Sequence, residues 1–253
     1  MSLNFNTFNI GGSNSGGGGG AADASFIPLG TIFTVKADGT GDFTSLNDAI
    51  DYLDGKWSNG IVTINLDEGT HTLTKNISLT RSINIPKITI SGQQGGNTIV
   101  EVPATLTGAM VTFYWAIHFH FAYIQFRKIT GGLTSNGFDI SRGTNVSLNS
   151  CSFENFDKCL VVTDTGSSVV YGAMSFTNFT TALSVEGGLV ASRSNTAFTF
   201  TNSTSSGTAF SVSNGGQIHA GASNSMVYTN VATHASQTVG SANNNGWITG
   251  VTV

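Results

Sequence analysis

The stretch FENFDKCLVV, residues 153–162, carries two marks that return along the chain. The first mark is an aromatic residue, one intervening residue and then Asn. It recurs as FTN at 176–178, FTN at 200–202 and YTN at 228–230, so its starting positions are spaced by 23, 24 and 28 residues. A mark that returns with a nearly constant spacing indicates an internal structural repeat.

A second, apolar mark has the same period. Leu160, Leu183 and Phe210 lie in similar apolar runs and are spaced by 23 and 27 residues. A period in the twenties fits a β-solenoid coil, and it fits leucine-rich repeats less well because their Leu-x-x-Leu-x-Leu frame is absent. We therefore predict an all-β protein, a single-stranded parallel β-helix, in which aromatic residues of successive coils stack inside and turn asparagines bond to the next coil.

One amphipathic helix is predicted near the N-terminal end. Apolar residues recur at i, i+3, i+4 and i+7 from Leu46 to Leu53, and Ser45 with Asp48 three residues later resembles a capping box. We expect the helix to start near Ser45 and to end near Gly55. Stacked coils leave an apolar open end, so we predict that this helix caps the solenoid.

Composition limits the function classes. Of 253 residues, 39% are hydrophobic and only 9% are charged, and 17 are Phe, so the chain has a packed core. A net charge of -4 disfavours nucleic acid as a partner. The chain has no apolar run long enough for a membrane span and no N-terminal pattern typical of a secretory signal, so we expect neither membrane insertion nor secretory export. Cys151 and Cys159 are expected to be buried free thiols.

Three regions are predicted. Residues 1–26 contain NFNTFNI and a run of five glycines, which favours either a disordered tail or expression scar, or an attachment peptide with a flexible linker. Residues 27–235 form the β-helix, and residues 236–253, where the period fades, form a C-terminal tip or cap.

Three segments resemble the N-terminal coils of right-handed parallel β-helices of the pectin-lyase-like superfamily. They are FTVKADGTGDFTSLNDAIDYL (33–53), VTINLDEGTHTL (62–73) and INIPKITISGQQGGNTIV (83–100), and the similarity covers about residues 31–102. Pectin methylesterases and the tailspikes and tail fibres of bacteriophages open in this way. The esterase motifs Gln-Asp-Thr and Asp-Phe-Ile-Phe-Gly do not occur here, which excludes the esterase activity.

The resemblance that remains is to phage tail fibres and tailspikes. It implies a homotrimer on the virion, made in the host cytoplasm, attached through its N-terminus to other tail or baseplate proteins and binding a bacterial surface polysaccharide. Two alternatives stay open: a tailspike depolymerase that cleaves capsular or exopolysaccharide, and a structural tail or baseplate component without a ligand. No cofactor is expected.

Enzymatic cleavage of a glycan needs two carboxylates about 5 to 10 Å apart. Asp164 and Glu186 are 22 residues apart, which predicts neighbouring positions on adjacent coils and makes them the catalytic candidates. Asp139, Glu154 and Asp157 are further acids that neighbouring coils bring toward Glu186. Solvated acids at turns are the alternative explanation. The basic residues of the region are Arg142, Lys158 and Arg193.

The run WAIHFHFAYIQF, residues 115–126, alternates aromatic and polar residues. His118 and His120 share one face of a strand, and some phage fibres place such a His-x-His strand on a trimer axis where six imidazoles bind a metal. The resemblance is limited to that tripeptide, and a polar or intersubunit face is the alternative. Trp115 and Tyr123 are candidates for stacking on sugars, although packing in the core or between subunits explains them equally well.

The C-terminal region supplies a last candidate for glycan binding. Trp247 follows a run of asparagines that ends with Asn245, and an aromatic ring among amides suits stacking plus hydrogen bonding to a sugar. A C-terminal cap in which Trp247 closes the last coil is the alternative.

Overall fold

The computed structural model describes residues 25–79, 83–114, 118–129, 133, 135–164, 167–192, 196–202, 206–219, 225–237 and 247–249. Nearly all of the predicted N-terminal segment 1–26 and most of the predicted tip 236–253 lie outside these ranges. The three-region organisation therefore stays a prediction.

The regular elements of the described residues are one helix and 21 strands. They are α1 (Leu46–Leu53), β1 (Ile32–Val35), β2 (Ile61–Leu66), β3 (Gly69–Thr72), β4 (Ile77–Leu79), β5 (Lys87–Ser91), β6 (Thr98–Val102), β7 (Val111–Phe113), β8 (His118–Ala122), β9 (Gln125–Lys128), β10 (Phe138–Ile140), β11 (Asn145–Asn149), β12 (Ser152–Thr163), β13 (Ser167–Tyr171), β14 (Ala173–Glu186), β15 (Leu189–Ser192), β16 (Ala197–Thr201), β17 (Thr208–Ser213), β18 (Gln217–His219), β19 (Ser225–Thr229), β20 (Thr233–Gln237) and β21 (Trp247–Thr249).

These strands form two parallel sheets. The first sheet has nine strands in the order β1-β2-β5-β8-β11-β13-β15-β18-β21, so each strand after β1 stacks on an earlier one. The second sheet has twelve strands and two branches, one through β3, β6 and β9 and one through β4, β7 and β10, which meet at β12 and continue through β14. A chain that returns repeatedly to stack parallel strands is a β-solenoid. The prediction of an all-β parallel solenoid is confirmed.

The repeated aromatic residues form one stack inside the solenoid. Ring centroids are 5.1 Å apart between Phe126 and Phe153, 5.8 Å between Phe153 and Phe176, 5.3 Å between Phe176 and Phe200, and 5.2 Å between Phe200 and Tyr228. The rings of the last three pairs are almost parallel, with interplanar angles of 10°, 8° and 11°. The predicted internal stack is confirmed, and Phe126 extends it by one strand.

The side chains of the repeated asparagines bond to the neighbouring coil, and two of these residues, Asn155 and Asn178, lie within β12 and β14. Asn155, Asn178 and Asn230 have positive φ values of 65°, 52° and 54°, a conformation that Asn tolerates better than most residues. Asn178 Nδ2 donates to Asn155 Oδ1 at 3.1 Å, as the ladder prediction requires. Asn155 donates to the Lys128 carbonyl, and Asn230 to the Asn202 carbonyl.

The predicted helix forms, and the residue predicted to start it, Ser45, is its N-cap. Its hydroxyl accepts from the Asp48 N–H and donates to Asp48 Oδ2 at 2.7 Å. The apolar face of α1 is buried, and the helix ends at Leu53. The function of this helix as the cap of the open end stays a prediction.

Both thiols are buried and unpaired, as expected. Burial raises the pKa of Cys151 to about 12 and raises the pKa of Cys159 well above its ordinary value. Neither thiol therefore ionises near neutral pH, and both act as small core residues.

We expect Phe176→Ala to destabilise the protein strongly, because this fully buried ring contacts the rings on both sides of it in the stack. A buried Phe→Ala change costs about 3–5 kcal/mol, whereas Thr177→Ala, at a partly exposed position, should cost within about 0.5 kcal/mol. Urea unfolding at one protein concentration measures both. If F176A does not fold, Phe176→Leu provides a milder loss, and equal stability of F176L and T177A would contradict the stacked core.

Candidate functional site

An elongated cavity of about 420 Å³ lies against the second sheet. Its lining includes one residue from each of five neighbouring strands: Thr98 of β6, Gln125 of β9, Ser152 of β12, Ser175 of β14 and Thr199 of β16. Five strands at a spacing of about 4.8 Å span roughly 19 Å. We call this cavity the axial groove, because it runs across the strands from coil to coil. Its volume falls in the range of ligand sites.

The aromatic stack fixes the positions of four polar residues of the groove, which we call the polar column: Gln125, Ser152, Ser175 and Thr199. Each of them precedes an aromatic residue of the stack, and they pair with one another in register. Because successive residues of a strand point to opposite faces, a ring that points inward places its preceding residue outward. The core repeat therefore also sets a row of polar side chains along the outside.

The groove reaches the corner between the two sheets, where Tyr123 and Ser150 line it. Tyr123 and Ser150 turn this corner with positive φ values of 59° and 52°, and Gly172 turns it on the next coil with φ 75°. A Cβ atom at Gly172 would lie 2.6 Å from Ser150 Oγ, so only glycine fits. Beyond it, the exposed Ala173 and Ala197 leave open space beside the strands.

The loop 92–97 forms the wall at the β6 end of the groove. A Cβ atom at Gly92 would lie 2.3 Å from the Tyr123 carbonyl oxygen, so the loop packs directly against the corner. The Gln93 N–H donates to Thr98 Oγ1 at 3.1 Å, and that hydroxyl donates to the Asp67 carbonyl at 3.1 Å. These bonds tie the wall to β6 and to Asp67 on the neighbouring coil, so the groove is already shaped without a ligand.

The lining of the axial groove carries amides, hydroxyls, one phenol and apolar atoms, and no charged side chain among the described residues. Charged groups occur only beside it. Glu154 accepts from Gln125 Nε2 at 2.8 Å, and Arg127 is paired with Glu101. Amides and hydroxyls both donate and accept hydrogen bonds, and an aromatic face packs on apolar C–H groups. This combination suits a polyhydroxylated ligand such as a glycan.

A second cavity, of about 230 Å³, lies on the other branch of the second sheet. We call it the acidic cavity, because Asp139 and Asp164 line it together with Tyr114 and Arg142. The Arg142 guanidinium carbon lies 5.5 Å from the centroid of the Tyr114 ring, a cation–π contact. Burial raises the pKa of Asp139, although Asn136 Nδ2 donates to its Oδ1 at 3.0 Å.

Asp164 and Glu186 lie on adjacent coils, where the Asp164 N–H donates to the Glu186 carbonyl at 3.1 Å. Their side chains have different surroundings. Asp164 is exposed at the rim of the acidic cavity, whereas Glu186 Oε1 accepts from Lys158 Nζ and from Ser184 Oγ, each at 3.3 Å. The carboxyl with a raised pKa is that of Asp139, and the charge of Glu186 contributes to the shift. A catalytic function of Asp164 and Glu186 stays a prediction.

His118 and His120 lie on the outer face of the nine-stranded sheet and are partly buried. Lys87 pairs with His118 on the preceding strand, and His118 Nε2 lies 2.9 Å from Ser147 Oγ. The described residues contain no cluster of three or more His, Cys, Asp or Glu side chains that could hold a metal ion. A metal at this pair would need ligands from another chain, as in the trimer-axis hypothesis, which stays a prediction.

The remaining glycan candidates separate into three groups. Tyr123 lines the axial groove. Trp247 begins β21, where its backbone pairs with Gln217, but its side chain is not among the described parts. Trp115 and Asn245 lie outside the described residues. The sequence therefore pointed to one residue of the groove and did not reveal its polar column.

Comparisons of this chain with protein-family models, with curated proteins and with solved structures found no match. In the part of the chain that is described, no helix is long and apolar enough to cross a membrane.

The histidine pair predicts a loss of stability in mild acid. Burial lowers the pKa values of His118 and His120 below 6.5, and the nearby Lys87 lowers them further. The folded state therefore binds fewer protons than the unfolded state, so this stabilisation is present above pH 6.5 and is lost as the pH falls through the lowered pKa values.

The measurement is the free energy of unfolding from about pH 7.5 to pH 5 for wild type, for His118→Gln with His120→Gln, and for His219→Gln at an exposed site. We expect the double variant to lose less stability across this interval than wild type, and H219Q to follow wild type. Parallel curves for the double variant and wild type would contradict the lowered pKa values of His118 and His120.

Proposed function

We propose that this protein is an attachment protein of the phage tail-fibre type that binds a bacterial surface polysaccharide in the axial groove. The observation that carries the proposal is the groove itself: a preformed cavity of about 420 Å³ in which one polar side chain from each of four strands faces the same space. Strand positions are rigid, so the donors and acceptors are already in place before a ligand binds.

The biological setting is part of the proposal. The chain is made in the host cytoplasm and assembled into the virion, where its N-terminal segment attaches to other tail or baseplate proteins and three copies form a homotrimer. The support is the resemblance of residues 31–102 to phage β-helix proteins, together with a solenoid fold that suits a long, stable fibre.

A polysaccharide depolymerase is the second candidate, and the acidic cavity favours it. Glycoside hydrolysis uses one carboxyl that keeps its proton and one that is ionised. Asp139 has a raised pKa, and Glu186 is paired with Lys158 and contributes to that shift. In register, Asp139 pairs with Val161 and Val161 with Ser184, so Asp139 and the Ser184–Glu186 segment lie two strands apart.

The first test is the adsorption of purified protein to a panel of bacterial strains, with the release of reducing ends from their polysaccharide followed in parallel. We expect adsorption to at least one strain without release. Release that disappears in Asp139→Asn and Glu186→Gln would make the protein a depolymerase. Absence of both adsorption and release on every strain would contradict both glycan functions and favour a structural component.

The groove itself is tested on the strain that adsorbs the protein. Ala173→Trp fills exposed space in the groove, and we expect it to reduce adsorption by at least about tenfold, the equivalent of 1.4 kcal/mol. Ser78→Trp places the same side chain on an exposed position of β4, outside the groove, and should leave adsorption unchanged. Equal adsorption by the two variants would place the binding site elsewhere.

A further inference from the structure

We propose that the axial groove selects a neutral, linear polysaccharide that lies parallel to the solenoid axis, with successive sugar units over successive strands. This inference rests on the proposed function and adds to it the charge of the ligand, its orientation and the length of the site.

The charge of the ligand follows from the lining and its rim. The lining offers no cationic side chain to a carboxylate, sulfate or phosphate group among the described residues. Glu154 lies beside Gln125, and a Cβ atom at Gly96 would lie 2.6 Å from Glu68 Oε1, so two carboxylates stand close to the groove. An acidic glycan would meet repulsion there without a compensating ion pair.

The one guanidinium near the polar column does not reverse this balance. Arg127 pairs with Glu154 in register on the neighbouring strand, and its Nε donates to Glu101 Oε2 at 2.8 Å on the other side. It is therefore neutralised by a carboxylate that is itself largely buried. With Arg127 and Glu101 paired, Glu68 and Glu154 remain beside the groove, so the surroundings disfavour an anionic ligand.

The orientation follows from the repeat of the protein. Gln125, Ser152, Ser175 and Thr199 stand in one column, and adjacent members are separated by about 4.8 Å, the spacing of neighbouring strands. Each strand therefore presents a similar hydrogen-bonding group at a regular interval. A polymer of repeated hydroxylated units that lies along this column meets the same kind of contact at every step, whereas a polymer that lies across the column meets it once.

The ends of the column set the length of the site. At one end Gln125 pairs with Ile99, which is buried, and the loop 92–97 stands beside it. At the other end Thr199 pairs with Val227, an apolar residue that is 51% exposed. The polar column therefore ends at both positions and spans four strands. Tyr123 and the loop 92–97 line one side of the groove, so a branch that points to that side would meet them and an unbranched chain fits best.

The test uses surface polysaccharide purified from the strain that adsorbs the protein, and calorimetry measures its affinity for the full-length protein. We expect a polysaccharide without uronic acid, sialic acid, sulfate or phosphate, with an affinity that changes less than about twofold between low and high salt. Oxidation of its primary alcohols to carboxylates should weaken binding at least about tenfold, and Ser175→Lys should recover part of that loss. Fragments of increasing length should gain affinity up to about four units and then no further.

The outcomes separate this inference from the proposed function. If wild-type protein adsorbs to no strain, both fail. If it adsorbs and A173W weakens the binding, but the polysaccharide is acidic or its binding is lost at high salt, the function stands and the inference of a neutral ligand is overturned. If the affinity of fragments stops rising at a single unit, the arrangement of one unit per strand is overturned.

Discussion

Stacking of each coil on the previous one in strict register is the constraint on which the rest of this structure depends. The rings from Phe126 to Tyr228 make that register specific, because each ring packs against the ring of the neighbouring coil. A slip of one residue would turn each ring outward and each polar neighbour inward. The same constraint sets the outer surface: the residue before each ring faces solvent, and the outward residues of successive coils form the column of the axial groove.

The repeat could be predicted from the sequence because its residue types have strong structural preferences, aromatic residues for the core and Asn for positive φ. Aromatic residues mark the core, and Asn at 155, 178 and 230 marks positions with positive φ, so their spacing predicted both the internal stack and the Asn178–Asn155 contact. Ser45 and Asp48 likewise predicted the start of the helix. Phe126 escaped the pattern, since the residue two positions later is Lys128 rather than Asn, although its ring belongs to the same stack.

The groove was not predictable from the sequence, because its shape depends on a corner that three coils turn with positive φ. Tyr123, Ser150 and Gly172 take equivalent positive-φ positions, yet Tyr and Ser give no sequence signal for that conformation. Asp139 is a similar case: its spacing suggested only that it approaches other acids, whereas its raised pKa comes from burial that depends on the whole sheet. The groove and the acidic cavity share no lining residue, so the proposed glycan binding and the alternative of cleavage are separable by mutation.

The most direct test of the central claim, that a glycan lies along the axial groove, is backbone hydrogen–deuterium exchange with and without saturating polysaccharide from an adsorbing strain. We expect slower exchange at residues 92–98, 123–125, 150–152 and 172–175, which form the groove and its corner, and unchanged exchange at residues 139–142 and 158–164. Slower exchange confined to the second group would contradict the account and place the ligand in the acidic cavity.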